Sequence, residues 1–131
     1  MTPVVFINCT SAPFLDDIMS GRKVFETRTR DTLGRLAGQR VLLAETGNGR
    51  PVVRCSAIIG EAIPVRSAQE WRSLRHAHNI KRGNRYDWQP GQRVKYCYPL
   101  RDVWPLAVPF TPPEGTRHGR AWMEYDEERK A

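Results

Sequence analysis

The chain has 131 residues, the length of one domain, and a formal net charge of +7 from 21 basic and 14 acidic side chains. Hydrophobic residues at 40% and charged residues at 27% fit a folded, soluble chain rather than a disordered one. No apolar run approaches the ~18 residues of a membrane span, which excludes a helical membrane protein. The N-terminus has no basic stretch before an apolar one, so a cytoplasmic protein without a secretory signal is expected. Cys9, Cys55 and Cys97 then read as reduced thiols, not as a disulfide framework.

In chain order, residues 4–8 form a short apolar strand. Thr10 and Ser11 follow as N-cap candidates, with Asp16 and Asp17 near the positive end of a helix over 13–20. Phe14, Leu15, Ile18 and Met19 give that helix one apolar stripe, and Gly21 closes it. Residues 24–30 alternate as a strand. Phe25, Thr27 and Thr29 share one face; Glu26, Arg28 and Arg30 share the other. Residues 31–38 read as a loop with a helical turn as its alternative. Residues 40–45 are a strand, Gly47-Asn48-Gly49 a hairpin turn, and 51–60 the returning strand, extending toward Val65.

Ser67 and Glu70 fit a capping box at the start of a helix over 68–80. Trp71, Leu74 and His78 lie along one side of it; Arg72, Arg75, His76 and Asn79 lie on the other. A basic, aromatic loop spans 81–89. Two extended stretches follow, 93–100 and 102–110. Pro105 and Pro109 confine the second to a sheet edge. A short element at 119–125 ends a single domain over 1–125, and 126–131 is a charged tail. Short strands with two or three helices predict an α+β domain on a small, partly closed barrel.

The charge is unevenly placed. Residues 66–101 carry a net +7, equal to the whole excess, and also hold Trp71, Tyr86, Trp88, Tyr96 and Tyr98. All but four of the 21 basic residues are arginine. Guanidiniums interleaved with rings are what a single-stranded nucleic acid site needs: charge for the backbone, flat faces for unstacked bases. Arg75, His76, Arg82, Arg85, Tyr86 and Trp88 are the binding candidates, with Tyr86 and Trp88 the stacking ones. His76 and His78 are two apart and point to different faces, so no metal site is expected, and no cofactor.

The segment Gly21-Arg22-Lys23-Val24-Phe25-Glu26-Thr27-Arg28, entering a strand behind a Gly-terminated helix, resembles the G-x-K-x-x-E-x-R signature of ASCH domains in the PUA-like superfamily. Gly38-Gln39-Arg40-Val41 also fits, and the likeness spans about residues 4–110. The resemblance implies a β-barrel of five to six strands, with two or three flanking helices and a cleft lined by Lys23, Glu26 and Arg28. It implies binding of RNA or of a modified nucleoside. Read from the residues themselves, Glu26 then accepts hydrogen bonds from a base edge, while Lys23, Arg28 and Arg30 meet phosphate or carbonyl groups. Some members of the family are enzymes. One branch hydrolyses the acetyl amide of N4-acetylcytidine, and others are described as nucleases. As an enzyme, this chain would use Lys23 and Glu26 as an amidohydrolase of N4-acylcytidines or as a ribonuclease, the latter with His76 as a candidate general acid or base. It departs from the amidohydrolase pattern in two places. Glu26 stands where that branch has a threonine, and the later helix has no glutamate beyond Glu70. A protein-docking domain is the third reading.

Overall fold

In the computed structural model, residues 1–127 are described. The elements run β1 (Thr2–Asn8), α1 (Phe14–Ser20), β2 (Phe25–Arg28), a 3-10 turn (Gly34–Leu36), β3 (Arg40–Thr46) and β4 (Val52–Ile59). They continue with β5 (Ile63–Val65), α2 (Ala68–Ser73), α3 (Arg75–His78), β6 (Lys95–Phe110), β7 (Thr116–His118) and β8 (Trp122–Tyr125). The strands form one mixed sheet in the order β2-β6-β4-β3-β1-β8-β7, with β5 paired to β6.

Val4, Val5, Phe6 and Ile7 are all buried, as a strand covered on both faces must be. Accordingly β1 lies inside the sheet, parallel to β3 and antiparallel to β8. The sheet curls. Arg28, on β2, donates from Nη2 to the carbonyl of Phe6, on β1, at 2.8 Å, although β6, β4 and β3 separate the two strands in the sheet order. The concave side encloses the main core, where Leu15, Ile18, Leu43, Cys55, Trp71, Cys97 and Tyr98 pack. Val4, Ala44, Val53, Met123 and Tyr125 build a smaller core on the other side. This is the expected α+β architecture, a half-barrel with flanking helices.

Several elements differ from the sequence reading. Thr10 and Ser11 do not cap α1. Thr10 bonds back to Asn8 Oδ1, and Pro13 occupies the N-cap without a side-chain bond. A salt bridge from Asp16 to Arg54 at 2.8 Å ties the helix to β4 instead. The strand expected over 24–30 ends at Arg28, leaving Thr29 and Arg30 exposed in a bend.

The helix expected over 68–80 breaks at Leu74 into α2 and α3. Ser73 Oγ donates at 2.6 Å to Glu70 O, the carbonyl that Leu74 N–H would use in an unbroken helix. Leu74 N bonds Trp71 O instead, a tighter turn. Ser67 does cap α2, accepting from Glu70 N at 3.1 Å, while the Glu70 carboxylate accepts from Arg66 N. The two stretches at 93–100 and 102–110 are one 16-residue strand, with Asp102 at φ 50° marking the join. Its outer half has β4 on one side and no strand on the other among the described residues, which is where prolines are tolerated. The element at 119–125 is the second half of a β7–β8 hairpin turning at Gly119 (φ 65°). Of the charged tail, residues 128–131 lie outside the described residues.

Candidate functional site

Gly21 takes the left-handed conformation (φ 83°), and Lys23 N bonds Asp17 O at 3.1 Å. The chain therefore reverses tightly, and the next side chain turns inward. Lys23 is 2% exposed. Its Nζ donates to the carbonyl of His78 at 2.7 Å and sits 5.0 Å from the centre of the Phe14 ring. Burial lowers its pKa from the ordinary lysine value, and the Glu26 carboxylate opposes that shift.

Glu26 is also buried. Its Oε1 accepts from Thr27 N at 3.0 Å and its Oε2 from Arg28 Nη2 at 3.0 Å. Each carboxylate oxygen carries two lone pairs, so acceptor capacity remains after these bonds. Arg28 is held through one nitrogen, Nη2, which donates both to Glu26 Oε2 and to Phe6 O. Its Nε is buried with no hydrogen-bond partner among the described residues. An unmet buried donor costs about 1–3 kcal/mol and calls for an explanation such as a functional site.

These three residues line a cleft of about 450 Å³ in the gap of the half-barrel. β1 contributes Phe6, Ile7 and Asn8 to it, and Phe14 and Tyr86 add two more rings. The hairpin β7–β8 supplies Arg117 and Arg120 from its tip. Four cations (Lys23, Arg28, Arg117 and Arg120) thus surround a single carboxylate. Arg117 lies over the Phe6 ring at 4.7 Å, and Tyr86 meets Phe14 edge to face at 5.9 Å.

Behind the cleft, α2 and α3 hold a polar layer. His78 is fully buried and stacked on Trp71 at 3.9 Å. Its Nε2 lies 3.0 Å from Trp71 O, and its Nδ1 accepts from Ile80 N at 3.0 Å. That pattern fixes a neutral ring protonated on Nε2, and burial drives the pKa down to about 4. Lys95 is buried against the Trp71 ring and donates to Tyr86 O, which holds Tyr86 in place. Burial lowers its pKa to about 8. The thiols of Cys55 and Cys97 are buried and pushed up to about 11, which makes them poor nucleophiles.

The sequence candidates separate into three groups. Lys23, Glu26, Arg28 and Tyr86 share the cleft. Arg75, Arg82 and Trp88 line a second concavity on the α2–α3 side. Arg30, His76 and Arg85 are exposed and line neither, although Arg85 stacks over Tyr86 at 5.1 Å. Asn8, Arg117 and Arg120 went unread. The last two lie in an acidic stretch of sequence, where regional charge hides them. The cluster Arg117-His118-Gly119-Arg120 was the available signal. Among the described residues, no three His, Cys, Asp or Glu side chains come together to hold a metal ion. Nor is any described helix long and apolar enough to cross a membrane.

No family model matches the sequence, and no curated protein sequence does. The structure, however, resembles crystal structures of an ASCH protein from Zymomonas mobilis. The TM-score is 0.70 for that protein, 0.74 for a Ser-to-Ala variant and 0.73 for a Tyr-to-Phe variant. Each match is at 19% identity and covers 97% of this chain and 89–91% of the other. The chain therefore has the ASCH-domain fold, a small PUA-like α+β barrel.

Proposed function

We propose that this ASCH-fold chain is a cytoplasmic single-stranded RNA-binding module that takes one nucleotide, plain or modified, into the cleft beside Lys23, Glu26 and Arg28. The observation that carries the reading is one buried carboxylate, with acceptor capacity to spare, set among four cations and three rings. A uniformly basic groove holds backbones without choosing among bases. A carboxylate in such a groove repels phosphate and accepts hydrogen bonds, so it favours the amino or imino edge of a base. Tyr86, half-buried and backed edge to face by Phe14, supplies a flat face for that base, and Arg117 and Arg120 meet the sugar-phosphate at the mouth. The test is equilibrium binding of short single-stranded ribo-oligonucleotides at low salt, with Glu26→Gln beside the wild type. Binding that is salt-sensitive and at least tenfold weaker in the variant supports the reading. No affinity for any oligonucleotide removes it.

A second reading, hydrolysis of a modified nucleoside such as an N4-acylcytidine, or of RNA itself, is favoured by the lowered pKa of Lys23. A buried lysine whose charged form is disfavoured by desolvation, set in one cleft with a carboxylate, is a candidate for proton transfer. It requires turnover that disappears in Lys23→Met and Glu26→Gln proteins that still fold. Pure protein that leaves both substrates intact eliminates it.

A further inference from the structure

We propose that the arginine-lined concavity on the α2–α3 side is a phosphodiester subsite, so that the cleft receives one nucleotide of a strand rather than a free nucleoside. This rests on the cleft reading above. The concavity measures about 380 Å³ and is lined by Trp71, Arg72, Arg75, Arg82, Asp87 and Trp88.

Its one carboxylate is already committed. Asp87 Oδ1 accepts from Trp71 Nε1 at 2.7 Å and pairs with Arg75 at 3.3 Å, while Oδ2 accepts from Gly83 N at 3.2 Å. Burial works to raise the Asp87 pKa, but these donors prevail and hold it below the usual carboxylate value. Asp87 therefore stays ionised and balances Arg75, whose guanidinium is also anchored on Ile80 O. Arg72 and Arg82 are exposed, and neither has a carboxylate partner among the described residues. Two uncommitted guanidiniums beside a half-buried indole form a receptor for an anion on a flat group, not for a base edge.

The two sites are contiguous along the chain. Tyr86 lines the cleft, while Asp87 and Trp88 line the concavity. Two residues of chain span at most about 7 Å. The 86–88 segment therefore separates the two sites, and in the proposed path a strand with one base in the cleft crosses it with the adjoining phosphate. The division of labour follows: the cleft, with its carboxylate, reads a base, and the concavity, with its spare charge, holds the backbone. It also gives a purpose to the excess charge of residues 66–101.

The experiment compares a short single-stranded ribo-oligonucleotide with the four ribonucleoside 5′-monophosphates. Binding is measured across about 50–200 mM salt. The proteins are wild type, Arg72→Ala/Arg82→Ala, Glu26→Gln, and Arg101→Ala as an exposed control on β6. Wild type is expected to bind the oligonucleotide at least tenfold more tightly than any monophosphate. The double variant should lose about tenfold or more of that affinity. Its log–log salt slope should fall in magnitude by about 1.4, the value for two single-strand phosphate contacts. Arg101→Ala should change neither. Equal binding of oligonucleotide and monophosphate, or a double variant with unchanged affinity and slope, overturns the subsite while leaving the cleft reading intact. The opposite pattern, in which only the arginine pair matters and Glu26→Gln changes nothing, overturns the cleft reading and with it the strand-through-cleft path. Thermal melting of the double variant shows that the loss is not one of folding.

Discussion

Replacing Lys23 by Met separates a functional lysine from a merely structural one. The substitution keeps the length and apolar stem of the side chain but removes the ammonium. Three stabilising contacts are lost: the bond to His78 O, the attraction to Glu26 and the contact with the Phe14 ring. An orphaned buried carbonyl costs about 1–3 kcal/mol, and a desolvated cation–π contact about 2 kcal/mol. Against this, the desolvation of a buried ammonium, several kcal/mol, is relieved. Glu26 is not stranded, because Arg28 and Thr27 N still bind it. The net change in stability should therefore stay within about 2 kcal/mol in either direction. At this chain length that is a melting shift under about 8 °C. Were Lys23 the essential counter-ion of Glu26, the cost would be about 3–5 kcal/mol. Ligand affinity should behave differently, falling about 10- to 100-fold with the loss of one charge-assisted bond. Urea denaturation of the two proteins, paired with oligonucleotide titration, gives both numbers. A loss of more than about 3 kcal/mol with unchanged affinity would refute the reasoning and make Lys23 a strut for β2.

Arg117→Ala or Arg120→Ala should each weaken oligonucleotide binding about tenfold without lowering the melting temperature by more than a few degrees, measured by fluorescence anisotropy and thermal melting. Tyr86→Ala should remove about 1–3 kcal/mol of stacking, a loss of about 5- to 150-fold in affinity on the same assay. Acid should destabilise the fold through His78, whose folded pKa of about 4 lies below the ordinary 6.5. The unfolded chain then binds the extra proton between those values, so stability is complete above about pH 6.5 and declines as pH falls toward 4, by on the order of 3 kcal/mol. A His78→Asn protein should show a flatter urea midpoint between pH 7 and 4, and an equally steep one would assign the acid sensitivity elsewhere. Lys95 acts in the same sense at higher pH. Its folded pKa of about 8 lies below 10.5, so stability rises as pH climbs through that interval, which urea midpoints of wild type and Lys95→Met would reveal.

Local chemistry was legible wherever a residue's own neighbours decide its structure. Gly21 had to end a helix, and it does so with a positive φ. Ser67 had to cap one, and it does. The alternation at 24–30 placed Glu26 and Arg28 on one face, and both line the cleft. Lys23, two residues after Gly21, lines the same cleft. Where long-range contacts decide, the sequence was silent. Arg117 and Arg120 reach the cleft only because the β7–β8 hairpin closes against β1, a pairing with more than a hundred residues between its partners. The break at Leu74 came from a Ser73 hydroxyl competing for one carbonyl, which no periodicity of apolar residues reports. Arg30 was misplaced because the strand ends two residues sooner than its alternation does. The basic stretch 66–101 was visible as charge, but its division between a cleft wall and a separate concavity depends on how one loop folds.

The most direct test of the cleft is an NMR titration of isotope-labelled protein with a short single-stranded RNA. The Thr27 amide is the reporter, because it is bonded to Glu26 Oε1. A base edge bound by that carboxylate should shift Thr27 strongly, together with Arg28, Tyr86 and Gly119. Shifts confined to the outer half of β6, with Thr27 unmoved at saturating RNA, would contradict the account.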